Sequence, residues 1–404
     1  LQIQEKDDAR RVPLLFMQVA DTQRKPPRID IIDGLRGLAI LGVIFHHVFT
    51  ANFFPGIYGY WIYGLLLSPF TMLSNGFQGV TLFFILSGFV LTLPYALEIR
   101  TMNSWQDVIE FYKRRAKRLL PLFYIHVLVI ATLLVPGHSP GGQAKLLLPI
   151  VTFIFPLFKE TQMVEGLNIV LWSLGVEVWF CVLMPWLFFL LKKMRMETLV
   201  LISIIIALLT RSYFGILDAQ DPDKWWIGYF GVDTFLSKQM DFVLGMGLAY
   251  SVVKKELTRI PTGSIGLFFL IIGFLGADCL WTRTISFTTV GIFTLFSAIG
   301  MTFIMHSLVT IKRSWTDIII GNWPLRLLGM MCYSLYIWHR NPIEVLIPVA
   351  SPERFARYII LIFSLSFLTY RYIEFGSVKD IRSLLPRWRP EQDDTSTHLL
   401  VVSR

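Results

Sequence analysis

The stretch Ile32-Asp33-Gly34-Leu35-Arg36-Gly37-Leu38-Ala39-Ile40-Leu41-Gly42-Val43-Ile44-Phe45-His46-His47 decides how this chain is read. It is an apolar run with an arginine near one end and a histidine pair at the other. At about 100° per residue, the step from Arg36 to His47 overshoots three full helical turns by about 20°. The two side chains therefore share one helix face, about 16 Å apart along the axis. His46 points about 80° away from that line, while Asp33 lies within about 60° of Arg36. If the helix enters a membrane, Arg36 marks its edge and His47 sits near mid-bilayer. An ionisable residue at that depth marks a candidate functional site.

Composition establishes the membrane. Of 404 residues, 54% are hydrophobic and only 16% charged, against about 25% charged in soluble domains. Mean hydropathy is +0.58. The sequence predicts an all-α, polytopic protein of about ten transmembrane helices around a polar cavity. The expected spans lie near 36–54, 76–96, 118–135, 170–191, 198–216, 234–253, 264–280, 286–309, 325–348 and 356–374.

The basic clusters set the orientation. Arg114 to Arg118, Lys192 to Arg195, Lys254-Lys255, Lys312-Arg313 and the Lys379 to Arg389 tail each follow an even-numbered span. With the basic amino-terminal segment inside, all are cytoplasmic, so both termini are expected in the cytoplasm of a multi-pass plasma (inner) membrane protein. The formal charge of +9 is accounted for by topology and anionic lipid, and implies no nucleic acid. Leu146 to Phe158 is too short to cross and is broken by Pro149 and Pro156. It is expected as a re-entrant or interfacial segment on the outer side.

Three regions follow: a flexible cytoplasmic arm over 1–29, a membrane domain over 30–376, and a basic then polar cytoplasmic tail over 377–404. There is no cleavable-signal pattern, so the first span is expected to stay. Neither an internal repeat nor an appended soluble domain is legible. Cys181, Cys279 and Cys332 fall in spans without a CxxC pair, and no His or carboxylate pair has metal-ligand spacing, so no metal is expected.

Four further constellations carry polar groups into the spans. In Trp172-Ser173-Leu174-Gly175-Val176-Glu177, Ser173 and Glu177 share a face. Glu177 serves either a structural hydrogen bond or the orientation of a catalytic group. Gly79 to Gly88 has small residues suited to close helix packing. Lys113 to Arg118 is a basic run at a cytoplasmic helix start. Guanidinium forks at Arg114, Arg115 and Arg118 suit a polyphosphate, although simple topological anchoring explains most such runs. Tyr333-Ser334-Leu335-Tyr336-Ile337-Trp338-His339 places Tyr336 and a further histidine inside a span. Two intramembrane histidines, one glutamate and a basic rim together point to a shared cavity.

These motifs, taken in order, resemble the membrane-bound acyltransferase 3 family of the O-antigen acetylase type, over roughly residues 29–375. The resemblance implies transfer of an acyl group, usually acetyl, from cytoplasmic acyl-CoA to a hydroxyl of a sugar-containing acceptor such as a surface polysaccharide or glycolipid. It singles out an arginine and a histidine with ten residues between them in the first helix, which here are Arg36 and His47. It implies His47 as general base or acyl relay, with Arg36 and Glu177 beside it. Arg114, Arg115 and Arg118 are then expected on the CoA phosphates, and Asp33, Ser173, Tyr336 and His339 in the cavity. Lys238 stands where the family usually has an arginine. A proton-coupled transporter or flippase using the same His, Glu and Arg is the competing class. It commonly shows repeat symmetry, and none is legible.

Overall fold

The helix containing Arg36 starts earlier than the apolar run suggests. In the computed structural model α1 spans Asp30–Thr50, so Asp33 and Arg36 lie within its first turns, 3.6 Å apart. The model describes residues 29–50, 60–62, 65–67, 75–133, 147–157, 170–220, 231–257, 259–281, 287–310, 314–341 and 352–375. The expected arm and tail and Lys312-Arg313 lie outside them.

A two-stranded antiparallel hairpin follows α1, with β1 (Tyr60–Ile62) paired to β2 (Leu65–Leu67) in the register Trp61 to Leu66. Every other described element is helical, in keeping with the all-α expectation. A 3-10 turn (Asn75–Gln78) leads into α2 (Gly79–Ala96), followed by α3 (Trp105–Leu133). After a 3-10 turn at Phe155–Leu157 come α4 (Leu171–Leu191), α5 (Met196–Gln220) and α6 (Phe235–Val253). The chain continues through α7 (Thr262–Trp281), α8 (Phe287–Thr310), α9 (Ser314–Ile319), α10 (Trp323–Met330), α11 (Cys332–Trp338) and α12 (Pro352–Thr369). A π-helical turn at Tyr370–Glu374 ends the described chain.

Among the described residues, six helices are long and apolar enough to cross a membrane: those of Asp30–Val48, Asn75–Ala96, Leu171–Leu191, Met196–Asp218, Gly291–Thr310 and Glu353–Glu374. They coincide with six of the ten expected spans. The expected third, sixth and seventh spans are helical as well, as α3, α6 and α7. The expected ninth, 325–348, is not one helix. It is split at Met331 into α10 and α11. Asn322 starts α10 by accepting the Leu325 N–H at 2.9 Å, with Pro324 in the first turn. Residues 147–157 form one short helical turn and the 3-10 turn, neither long enough to cross. They pack inward, with Phe153 stacked on Phe123 at 4.4 Å and its carbonyl accepting from the Trp179 indole.

Close helix contact needs small residues in an environment without a hydrophobic drive. A Cβ at Gly88 of α2 would lie 2.0 Å from the Phe242 carbonyl oxygen of α6, and one at Gly245 would lie 2.1 Å from that of Ile85. Phe242 itself is stacked between Phe84 at 4.5 Å and Phe180 at 4.0 Å, which ties α2, α6 and α4 together. On the other side of α6, Arg211 donates to the Ser237 hydroxyl and to the Gly291 carbonyl, both at 2.6 Å, joining α5, α6 and α8. Lys238 lies 3.6 Å from Asp233 and 4.0 Å from Asp241. Arg211 and Lys238 inside the helical bundle thus meet a backbone dipole or an opposite charge, as burial requires.

Gly88→Ala drives its new methyl into backbone and is expected to destabilise by about 1–3 kcal/mol. Gly42→Ala meets its nearest atom only at 3.5 Å and is expected to be neutral. Thermal unfolding in detergent checks the pair.

The start of α3 is a reciprocal cap. The Ser104 hydroxyl accepts the Asp107 N–H at 3.2 Å, while the Asp107 carboxylate accepts the N–H groups of Ser104 at 3.0 Å and Asn103 at 2.8 Å. The Asn103 and Ser104 N–H bonds hold the Asp107 carboxyl below its ordinary value of 3.8. The cap therefore contributes fully above that value, and its contribution is lost as pH falls through the lowered one. Hydrogen exchange at the α3 terminus is expected to lose protection on acidification in the native chain. In Asp107→Asn the protection is expected to be lower and independent of pH.

Candidate functional site

Five helices surround one cavity. Its lining comprises Arg36 of α1, Phe83, Phe84 and Ser87 of α2, Arg118 and Leu119 of α3, Ser173 and Glu177 of α4, and Cys332, Tyr333 and Tyr336 of α11. Five residues singled out in the sequence are in that lining: Arg36, Arg118, Ser173, Glu177 and Tyr336. They come from four separate segments, and the fold alone joins them.

Arg36 is steered by α1 itself, with Asp33 one turn back at 3.6 Å. Asp30 pairs across to Arg326 of α10 at 2.8 Å. The main chain of α1 is fixed against α10 by glycine. A Cβ at Gly37 would lie 2.0 Å from the Leu325 carbonyl oxygen, and one at Gly329 would lie 1.7 Å from that of Asp33. Arg118 is the second cation of the cavity, close enough to Arg36 for the two to repel. Asp33 meets Arg36 and Glu374 faces Arg118.

Glu177 is engaged elsewhere than expected. Its Oε1 accepts from Arg115 Nη2 at 2.7 Å and from the Ser87 hydroxyl at 3.5 Å. Arg115 also directs Nε at the Cys181 sulfur at 3.4 Å. Glu177 and Cys181 are four residues apart on α4, so one helix face receives the whole guanidinium. Arg115 is thereby committed to joining α3 and α4. Arg114 stays at the surface, 39% exposed, paired at 3.6 Å with Glu110 of its own helix. Of the three basic residues, Arg118 alone lines the cavity.

Tyr336 links the cavity to the histidines. Its hydroxyl shares a 2.6 Å hydrogen bond with Ser173 and reaches the Val170 carbonyl at 3.1 Å. Its ring lies 5.5 Å from that of His339. His339 in turn lies 5.2 Å from His47, and His47 lies 5.1 Å from His46. His46 turns toward Phe77 at 5.5 Å, as the helical geometry of the two histidines requires. The groups that act electrostatically on His47 are His339, His46 and Arg340.

Ser87, Cys332 and Glu374 were not singled out as site residues. Glu374 sits in the π turn, accepts a short hydrogen bond from Ser334 and faces Arg118 electrostatically. A carboxylate at the end of an apolar span is the signal that marks it. Among the described residues, no group of three His, Cys, Asp or Glu side chains is arranged to hold a metal ion.

A bundle of apolar helices enclosing two arginines beside buried histidines defines a polytopic membrane protein with an internal polar cavity. The family model for the acyltransferase domain, Acyl_transf_3, matches residues 29–371, and the chain belongs to that family. It is 26% identical over 344 residues to O-acetyltransferase OatA of Staphylococcus aureus (strain NCTC 8325 / PS 47), covering 78% of this chain and 50% of that protein. It is 26% identical over 369 residues to peptidoglycan O-acetyltransferase OatA of Listeria monocytogenes serovar 1/2a, covering 86% of this chain and 55% of that protein. The chain thus spans about half the length of these curated relatives. No solved structure matches it.

Removing Arg115 strands a partly buried carboxylate at the junction of three helices. Arg115→Ala is expected to destabilise the protein by about 3 kcal/mol, and Arg115→Met with Glu177→Met is expected to recover most of that loss. Arg118→Ala is expected to leave the unfolding midpoint near that of the native chain. Thermal unfolding of the four proteins in detergent distinguishes these outcomes.

Proposed function

We propose that this chain is a membrane O-acyltransferase that moves an acyl group, acetyl foremost, from cytoplasmic acyl-CoA to a hydroxyl of a glycan acceptor. The observation that carries the reading is the single cavity lined by Arg36 and Arg118, joined through Tyr336 to the histidines, in a chain of the acyltransferase family. The names of the relatives, an O-acetyltransferase and a peptidoglycan O-acetyltransferase, support acetyl as the group moved and a cell-surface polysaccharide as the acceptor.

The chemistry follows from the residue types. A thioester is attacked by a hydroxyl once that hydroxyl gives up its proton. His47 takes the proton as the new C–O bond forms. The C–S bond then breaks, and the CoA thiolate leaves with the proton returned from His47. Arg36 and Arg118 hold phosphate or carbonyl oxygens of the donor by charge-assisted hydrogen bonds. Arg114, on the exposed face of α3, meets the outlying phosphates, and Arg115 acts through Glu177 to keep α3 in place.

The topology proposed with this reading has ten spans, α10 and α11 forming the broken ninth, and both termini in the cytoplasm of a plasma-membrane protein. The Arg36 end of α1 then faces the cytoplasmic donor pool. The His47 end, about 16 Å further along the axis, meets the acceptor from the outer side or from lipid.

Vesicles from cells expressing the full chain, supplied with radiolabelled acetyl-CoA, test the reading. Label is expected in the glycan fraction. His47→Ala is expected to lower the rate by about 100-fold or more, and His46→Ala by less than about tenfold. Arg118→Ala is expected to weaken acetyl-CoA binding by about 1.5–3 kcal/mol. Equal losses at both histidines, or no transfer of label by the native chain, overturns it.

A further inference from the structure

His339 is held from several directions. Its Nδ1 lies 2.8 Å from the Tyr336 carbonyl oxygen. A carbonyl only accepts, so Nδ1 carries the proton, and in the neutral ring the lone pair is on Nε2. That Nε2 is buried and has no hydrogen-bond partner among the described residues. The backbone around it is fixed from two directions. The His339 N–H closes on the Leu335 carbonyl at 3.0 Å, and the Tyr358 hydroxyl donates to the His339 carbonyl at 3.1 Å. The residue is completely buried. A fixed tautomer with a bare, enclosed nitrogen is a costly arrangement unless something uses it.

The neighbour able to use it is His47, whose ring centroid is 5.2 Å away at an interplanar angle of 40°. As placed, the two rings do not bond, but an imidazole nitrogen lies about 1.2 Å from its own ring centre, so a turn of the His47 ring brings a nitrogen within about 3 Å of this one, hydrogen-bond distance.

We infer that His339 is the positioning residue for His47: its Nε2 accepts a hydrogen bond from the protonated ring nitrogen of His47. The other nitrogen of His47 is thereby kept bare and turned to the acceptor hydroxyl. The inference rests on His47 being the base proposed above. A catalytic imidazole needs a partner on its second nitrogen to fix tautomer and direction. That place is commonly taken by a carboxylate, but the glutamate of this site is occupied by Arg115. During transfer His339 itself exchanges no proton with substrate. The hydroxyl proton passes to His47 and then to the departing CoA thiolate, and His339 holds the His47 ring throughout.

Two substitutions at His339 separate this role from packing. The side-chain amide oxygen in His339→Gln can accept the bond from His47, whereas His339→Leu fills the space with no acceptor. In the vesicle assay with radiolabelled acetyl-CoA, His339→Leu is expected to lose at least about 100-fold in kcat with the KM for acetyl-CoA within about twofold. His339→Gln is expected to stay within about tenfold of the native chain. Both variants are compared at equal amounts of monodisperse protein after detergent extraction. Three results overturn the inference: Leu retaining activity as well as Gln or better, Gln losing as much as Leu, or a loss confined to KM. His47→Ala is run alongside. Full activity there defeats the reading of His47, whereas an inactive His47→Ala with a fully active His339→Leu defeats the present inference alone.

Discussion

α1 lies against α10 with backbone meeting backbone, and that contact governs where the site residues go. Gly37 and Gly329 leave no room for a Cβ on either helix. A second glycine contact, Gly76 against the Gly42 carbonyl, holds α1 to the turn before α2 on another side. A helix gripped in this way can neither rotate nor slide without a clash. Its remaining face carries Arg36 and His47, so the direction of both side chains is set by residues that have no side chain at all. In a bilayer, where burying leucine against leucine gains little over lipid, such van der Waals contact is the main source of helix association. The glycines of the Asp33 to Gly37 motif are explained by packing, and the charged residues between them by chemistry.

The aromatic stack of Phe84, Phe242 and Phe180 performs the same service for α2, α4 and α6, and the Arg115–Glu177 pair does so for α3 and α4. These two fixings lie on neighbouring faces of α4, Phe180 being about 60° round the axis from Glu177. Between them Ser173 and Glu177 are held on the cavity wall, Ser173 hydrogen-bonded to Tyr336 of α11. Stability and site geometry therefore share residues. Arg115 illustrates the point: two of its nitrogens meet Glu177 and Cys181 of α4.

The sequence made the long apolar helices and the shared face of Arg36 and His47 legible, because both depend only on local periodicity. The membership of Ser173, Glu177, Tyr336 and Arg118 in one cavity was legible from the rarity of polar groups in spans. Partnerships were not. Glu177 meets Arg115 because α3 and α4 pack side by side, a long-range fact without local signature. The break at Met331 was hidden by a continuous apolar run across α10 and α11. Asn322-Trp323-Pro324 marks where α10 begins, yet nothing so clear marks where it ends. The π turn at Tyr370–Glu374 was equally hidden, since its widening accommodates tertiary packing rather than expressing a propensity.

That π turn has a consequence for insertions and deletions. A π turn accommodates one residue more than an α-turn in the same stretch of helix. Deleting a single residue inside it gives back ordinary α geometry at almost no cost to the helix, and α12 up to Thr369 can stay where it is. The chain beyond the deletion keeps its place as well, because the π turn had already absorbed the extra residue. Glu374 would then still meet Ser334 and face Arg118. A one-residue change of length is absorbed here, whereas the same deletion within α12 would carry Glu374 about 100° round the axis.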